Sequence, residues 1–136
     1  MIKEYKIGPH RIVHEREDLI INHMGQDPTE AEMIAMIEAD AEAAGSRPIY
    51  LIVDLSKVQT LSAPVRRAIG DSAKRIRYKC IGIYGASFQI KVVAKLINSA
   101  IALFRKEAFP QDFFDTREKA LAWVDDLRAR ERAGAA

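Results

Sequence analysis

The sequence contains a single cysteine, Cys80, so a disulfide within the chain is excluded. Free thiols are typical of reducing compartments, and this favours the cytoplasm. Cys80 stands in the apolar run Cys80-Ile81-Gly82-Ile83, and no Cys-x-x-Cys or other catalytic cysteine pattern surrounds it. We therefore interpret Cys80 as a buried structural thiol.

Long hydrophobic runs are also missing. No stretch is a clean candidate for a membrane span, and the first residues, Met1 to Lys6, lack the basic-then-apolar order of a secretion signal. Repeats, linkers and low-complexity tracts are missing too. We therefore expect a cytoplasmic protein with one domain, residues 1–136, in which residues 128–136 form a frayed tail.

The charge balance is close to neutral, with a formal net charge of +2. Nucleic-acid-binding domains usually carry a much larger positive charge, so no nucleic-acid partner is expected. Any electrostatic argument for function must rest on local clusters of charge.

Signatures of catalysis are missing as well. There is no Gly-x-Ser-x-Gly elbow, and the pair Gly82 and Gly85 has neither the lysine of a phosphate loop nor the glycine pattern of a dinucleotide site. Asp54 is the best isolated candidate for a catalytic carboxylate because it ends a predicted central strand, but no partner base or metal triad accompanies it. We expect no enzymatic activity, no catalytic residue, no metal and no cofactor, and a small hydrolase that uses Asp54 ranks last among the alternatives.

The most informative stretch runs from Ile49 to Val65. Five apolar residues without alternation, Ile49 to Val53, predict a strand that is buried on both faces, and Asp54 ends it. A loop follows, in which Ser62 is suited to cap a helix and Pro64 fits the first helical turn.

The rest of the chain alternates helix and strand patterns around this strand. We predict a single α/β domain with a mixed sheet of four to five strands and about four helices. The predicted strands are a hairpin over residues 5–24 that turns near 15–18, a strand over 80–85 and a short edge strand within 109–115. Asp27 is predicted to cap the first helix, and further helices are predicted to start near Pro64, Ser87 and Thr116.

Two motifs within this series of strands and helices resemble the STAS domain family, the fold of the anti-sigma-factor antagonists. The resemblance is closer to the SpoIIAA-like branch of that family. Asp54-Leu55-Ser56-x-Val58 is similar to the strand end and loop of that family. The chain end is similar to the short phenylalanine strand and Ala-x-x-Trp helix of SpoIIAA-like members, here Phe113-Phe114 followed by Ala120 to Trp123.

The resemblance implies a non-enzymatic module for protein interaction in bacterial signalling. Its partner would be a regulatory kinase-like or anti-sigma-like protein, or a second copy in a dimer. The surface that the resemblance assigns to the partner is the loop with the start of the next helix, here Ser56, Lys57, Ser62, Arg66 and Arg67.

The phosphorylatable serine of the family is replaced here. In register with Asp54-Leu55-Ser56, Ala63 stands at the acceptor position and Ser62 at the position of the preceding aspartate. Ser62 is the remaining candidate for phosphorylation, but a helix cap is the favoured explanation for this serine. We expect no substantial phosphorylation of this loop.

The three histidines, His10, His14 and His23, all fall in the predicted hairpin. A turn near residues 16 and 17 would make His10 and His23 cross-strand neighbours, as two metal ligands require, but the pattern places no third ligand. We therefore predict solvent-facing histidines and no metal site.

Charge is segregated along the chain. Residues 27–45 contain acids and no lysine or arginine, whereas between 66 and 106 Asp71 is the only acid among ten bases. One explanation is attraction between neighbouring helices, and the other is a basic surface for an acidic protein or, less favoured, an anionic membrane. The basic residues of that surface are Arg66, Arg67, Lys74, Arg77, Lys91 and Lys95.

The predicted third helix carries more apolar residues than one sheet face needs. Two adjoining stripes are present, one of which contains Phe88, Val92, Leu96 and Leu103, while the other contains Phe104. We expect the segment 109–114 and the Trp123 helix to cover the extra stripe, with a symmetric dimer as the next alternative. The apolar excess also supports a second function, a carrier or sensor of a lipid or other apolar small molecule, because SpoIIAA-like domains resemble CRAL-TRIO lipid-transfer domains in architecture.

Overall fold

The computed structural model describes residues 1–103, 105 and 109–135. It contains six strands and four helices, numbered here in chain order. The strands are β1 (Lys3–Ile7), β2 (His10–Arg16), β3 (Leu19–His23), β4 (Ile49–Asp54), β5 (Tyr78–Tyr84) and β6 (Gln111–Phe114), and the helices are α1 (Glu30–Ala44), α2 (Ala63–Ser72), α3 (Phe88–Ala102) and α4 (Arg117–Ala135).

The strands form one sheet in the order in which they occur in the chain. β1, β2 and β3 pair antiparallel, whereas β3 to β6 pair parallel. The predicted α/β class with a mixed sheet is confirmed, but the sheet has six strands rather than four to five. The additional strand arises because the Gly8-Pro9 turn divides the first predicted strand, with Gly8 at a φ of 55° that favours glycine.

Two apolar cores lie on the two faces of the sheet. Helices α1, α2 and α3 pack on one face, where Leu51 and Val53 belong to the larger core. Helix α4 packs on the other face, where Tyr50 and Ile52 belong to the smaller one. Alternate residues of β4 thus enter opposite cores, as expected for a continuous apolar strand inside an α/β sheet.

The smaller core contains Cys80, and burial raises the pKa of its thiol to about 12. This confirms the prediction of a buried structural thiol. Trp123 of α4 packs against Phe114 with ring centroids 5.3 Å apart, and a Cβ atom on Gly82 would lie 3.2 Å from the Trp123 ring. Glycine at position 82 therefore lets the indole approach the sheet.

Helix α4 continues further than the sequence predicts. Residues 128–135, expected as a frayed tail, are helical in the structure, and Ala136 lies outside the described residues. The Arg128 guanidinium lies 3.1 Å from the Asp18 carboxylate, and Glu131 accepts hydrogen bonds from Lys79 and Tyr50. These contacts attach the end of the helix to the sheet.

Among the described residues, no helix is long and apolar enough to cross a membrane.

Candidate functional site

The carboxyl ends of β3, β4, β5 and β6 lie side by side. In the strand register, His23 is opposite Asp54, Asp54 is opposite Tyr84, and Tyr84 is opposite Phe114. Open α/β sheets usually bind ligands at this edge, and the loop of the STAS-like motif starts here. We call residues 55–62, between β4 and α2, the motif loop.

Asp54 fixes the start of the motif loop. One carboxylate oxygen accepts hydrogen bonds from the Ser56 amide at 3.0 Å and the Ser56 hydroxyl at 2.6 Å, and the other lies 3.4 Å from His23 Nδ1. Burial on its own raises the pKa of Asp54, but the hydrogen bonds from Ser56, His23 and Tyr84 outweigh it and hold the pKa below its ordinary value. An ionised carboxylate with this many donors serves as an anchor for the loop.

A second aspartate fixes the middle of the motif loop. Asp27 accepts hydrogen bonds from the Gln59 amide at 2.6 Å, the Thr60 amide at 3.2 Å and the Thr60 hydroxyl at 2.8 Å. The sequence predicts Asp27 as the cap of α1, and this is wrong. Thr29 is the cap and forms a capping box with Glu32, which leaves Asp27 to join two segments that are distant in the chain.

The motif loop also has its own apolar anchors. Leu55, Val58 and Leu61 are buried, whereas the residues between them face solvent. The Leu55 amide donates to the Tyr84 carbonyl at 3.0 Å. Polar and apolar contacts together give this loop a defined conformation.

All five residues of the predicted partner surface are exposed. Ser62 caps α2 as predicted, because its hydroxyl accepts a hydrogen bond from the Val65 amide at 3.4 Å. Ser56 is directed to Asp54, so its hydroxyl is already engaged. The two arginines differ: Arg67 lines a groove between α1 and α2 that contains Glu30 and Glu38, whereas Arg66, one position earlier, projects about 100° away around the helix.

The predicted charge attraction between neighbouring helices has one example between α1 and the end of α2. The Arg75 guanidinium, just after α2, forms an exposed ion pair with Glu38 of α1. Within the described ranges, no carboxylate pairs with Lys57, Arg66 or Arg67. The basic side chains of the motif loop and of the first turn of α2 therefore stay available to an external anion.

The prediction of solvent-facing histidines is wrong. His10 is fully buried, its Nδ1 accepts a hydrogen bond from the Gly25 amide at 3.1 Å, and its Nε2 lies 3.2 Å from Glu32. His14 is buried too, with Nε2 3.1 Å from the Glu17 carbonyl oxygen.

His23 pairs in register with Arg11 rather than His10, so the side chains of His10 and His23 leave opposite faces of the sheet. In the part of the chain that the structure describes, no group of three residues is arranged to hold a metal ion.

The expected cover of the α3 stripe is also wrong. Phe88 is 80% exposed, Leu96 64% and Leu103 89%, because α4 and Trp123 pack on the opposite face of the sheet. The Phe109 ring packs edge-on against Tyr78 inside the larger core instead. Phe104 lies outside the described residues.

Sequence reasoning missed a polar pair inside the larger core. Asp40 of α1 is 3% exposed and accepts a hydrogen bond from the Asn22 amide at 3.0 Å. Both residues line a cavity of about 90 Å³ beneath α1, α2 and α3 whose other walls are mostly apolar. One oxygen of each side chain is buried, with no hydrogen-bond partner among the described residues. The signal was present in the sequence, since Asp40 follows Ile37 by three positions and so falls within the apolar stripe.

No protein-family model matches the chain, and no curated protein matches it significantly.

Proposed function

We propose that this chain is a non-enzymatic, STAS-like interaction module of the SpoIIAA-like branch that serves bacterial signalling. Its protein partner, a regulatory kinase-like or anti-sigma-like protein, binds the motif loop and the first turn of α2. The motifs at Asp54–Val58 and Phe113–Trp123 and the alternation of strands and helices support the family.

One observation carries the proposal. Asp54 and Asp27 hold the motif loop in one conformation, while Lys57, Arg66 and Arg67 remain exposed. A preordered loop loses little conformational entropy on binding, and exposed cations attract an acidic partner and set its orientation. Control by phosphorylation at the family acceptor position is not part of the proposal, because Ala63 has no hydroxyl.

Charge reversal at the start of α2 tests this surface. We expect Arg66→Glu with Arg67→Glu to weaken binding to a partner copurified from native cells by about tenfold or more, because both cations would become repulsive to an acidic surface. Since exposed charges contribute little to folding, the melting temperature should stay within a few degrees of the wild type. Titration calorimetry with the purified partner gives the affinity.

Arg130→Glu is the matched control, because Arg130 is an exposed arginine on α4, which packs on the other face of the sheet. Unchanged affinity in the double variant would show that the partner binds elsewhere. Separate Arg66→Glu and Arg67→Glu variants show whether the partner also enters the groove next to α1.

The cavity favours a second function, a sensor of a small molecule. Its volume of about 90 Å³ is below the roughly 150 Å³ that holds benzene in an engineered apolar cavity, so it has no room for a lipid chain. The unpartnered oxygens of Asp40 and Asn22 are suited to accept hydrogen bonds. The ligand would therefore be a small apolar molecule with one alcohol or amine group.

A short series of two-carbon compounds, which match the size of the cavity, tests this function. We expect ethanol and ethylamine to shift the side-chain amide resonance of Asn22 in a saturable titration, and acetate to leave it unchanged, because its carboxylate would meet Asp40. An Asp40→Leu variant should lose the response to both compounds. Equal shifts with all three compounds, or a response that persists in the variant, would contradict binding at this cavity.

A further inference from the structure

The solvent side of α3 and its C-cap residue, Leu103, form an apolar ridge made of Phe88, Val92, Leu96 and Leu103. Their exposures range from 43% for Val92 to 89% for Leu103. At 100° per residue the four side chains span about 80° of the helix circumference, directly opposite the buried positions. The other exposed large hydrophobic residues among those described, Met1, Ile2 and Ile34, are not on this helix. Contiguous exposure of this kind marks an interaction site rather than scattered surface residues.

The charges beside this ridge are all positive. Lys91 and Lys95 border it on one side, and α3 contains no acidic residue. Neither lysine forms an ion pair within residues 1–103, 105 and 109–135, although the Lys95 ammonium lies 5.8 Å from the centre of the Phe113 ring. Two copies packed through this ridge would bring four lysines together without a carboxylate from α3, so the charges favour an anionic partner over a second copy.

The shape of the ridge limits which kinds of partner can bind it. It is convex, and the neighbouring helix α2 presents charged side chains such as Arg66 and Asp71 to solvent, so the two helices form no apolar groove between them. A protein partner would have to supply a groove of its own. The interface of a lipid bilayer accepts a convex apolar ridge without any matching shape, and anionic headgroups neutralise lysines beside it.

We infer that α3 docks the protein on anionic membrane surfaces. Phe88, Val92, Leu96 and Leu103 enter the boundary between headgroups and acyl chains, and Lys91 and Lys95 bind lipid phosphates. This surface lies on a different helix from the proposed protein-binding loop. Docking on a membrane would therefore leave the motif loop at the carboxyl edge of the sheet free for a partner.

Cosedimentation with vesicles tests the inference. We expect the wild type to bind vesicles of equimolar phosphatidylcholine and phosphatidylglycerol and to bind pure phosphatidylcholine at least tenfold more weakly. Phe88→Gln with Leu96→Gln should reduce binding to anionic vesicles by tenfold or more, and Lys91→Gln with Lys95→Gln should reduce it by about fivefold per lysine. Ile34→Gln, which changes a half-exposed isoleucine on α1, should leave binding unchanged.

The substituted side chains are exposed, apart from Lys91, which is half-buried. All variants should therefore fold, and their melting temperatures check this. Failure of the folded wild type to bind anionic vesicles would overturn the inference. So would a wild-type dimer in analytical ultracentrifugation that the Phe88 and Leu96 variant converts to monomers, because the ridge would then be a subunit interface. Neither result bears on the motif loop, since the assay contains no protein partner.

Discussion

Replacing Asp40 with asparagine is expected to make the protein more stable at pH 8 and to flatten its dependence on pH. Burial raises the pKa of Asp40 from 3.8 to about 7, and the hydrogen bond from Asn22 only partly opposes this. Because the folded protein holds this proton more tightly than the unfolded chain, stability falls as the pH rises between those two values. At about 1.4 kcal/mol per pH unit, the wild type should lose roughly 3 kcal/mol between pH 5 and pH 8 through this residue.

Asparagine at position 40 keeps an acceptor for the Asn22 amide and carries no charge at any pH. The Asp40→Asn variant should therefore exceed the wild type by about 2 to 3 kcal/mol at pH 8 and lie within about 1 kcal/mol of it at pH 5. Urea denaturation of the two proteins at several pH values measures both differences in the free energy of unfolding. Asp71→Asn, at an exposed aspartate of α2, controls for the loss of a negative charge. If the free energy of unfolding depended on pH in the same way in the wild type and in the Asp40→Asn variant, Asp40 would not be a buried carboxyl group with a raised pKa.

Gly85→Ala is expected to destabilise the protein by about 2 to 3 kcal/mol and to displace the motif loop. Gly85 has a φ of 75°, which disfavours a side chain, and a Cβ atom there would lie 2.7 Å from the Cβ atom of Ser56. Relieving this clash moves Ser56 and so disturbs its two hydrogen bonds to Asp54. Partner binding should fall together with stability.

Gly70→Ala provides the matched control, because Gly70 is inside α2 and a Cβ atom there meets nothing within 4 Å. That change should stabilise the protein by roughly 0.5 to 1 kcal/mol through helix propensity. The melting temperature should therefore fall in Gly85→Ala and rise in Gly70→Ala, relative to the wild type. A Gly85→Ala protein with wild-type stability and partner affinity would show that the contact with Ser56 does not control the loop.

Local signals in the sequence were sufficient for much of the fold. The run Ile49 to Val53 predicts a buried strand and forms β4, because a strand buried on both faces needs apolar residues at successive positions. Ser62 is confirmed as a helix cap, since a cap depends on residues within one turn. Asp27 was misassigned because its partners, Gln59 and Thr60, are more than 30 residues away in the chain.

Placement of the helices on the two faces of the sheet was not available from local patterns. The width of the apolar stripe on α3 shows how much of the helix is apolar but not which element covers it. The sequence therefore predicts the wrong cover, the Trp123 helix. Trp123 instead packs over Gly82 on the other face of the sheet, where the absence of a side chain makes room for the indole. The Asp40 and Asn22 contact likewise joins residues from α1 and β3 that no local pattern relates.

Helix α4 crosses back from β6 to the turn that precedes β3, where Arg16 lies 2.7 Å from Asp125 and Arg128 reaches Asp18. This helix is translated after every strand that it covers. A ribosome-bound chain that already contains all six strands therefore still exposes Leu19, Ile21 and Ile52 to solvent or to chaperones until residues 117–128 emerge. Premature termination within α4 would give an aggregation-prone open sheet instead of a smaller stable domain.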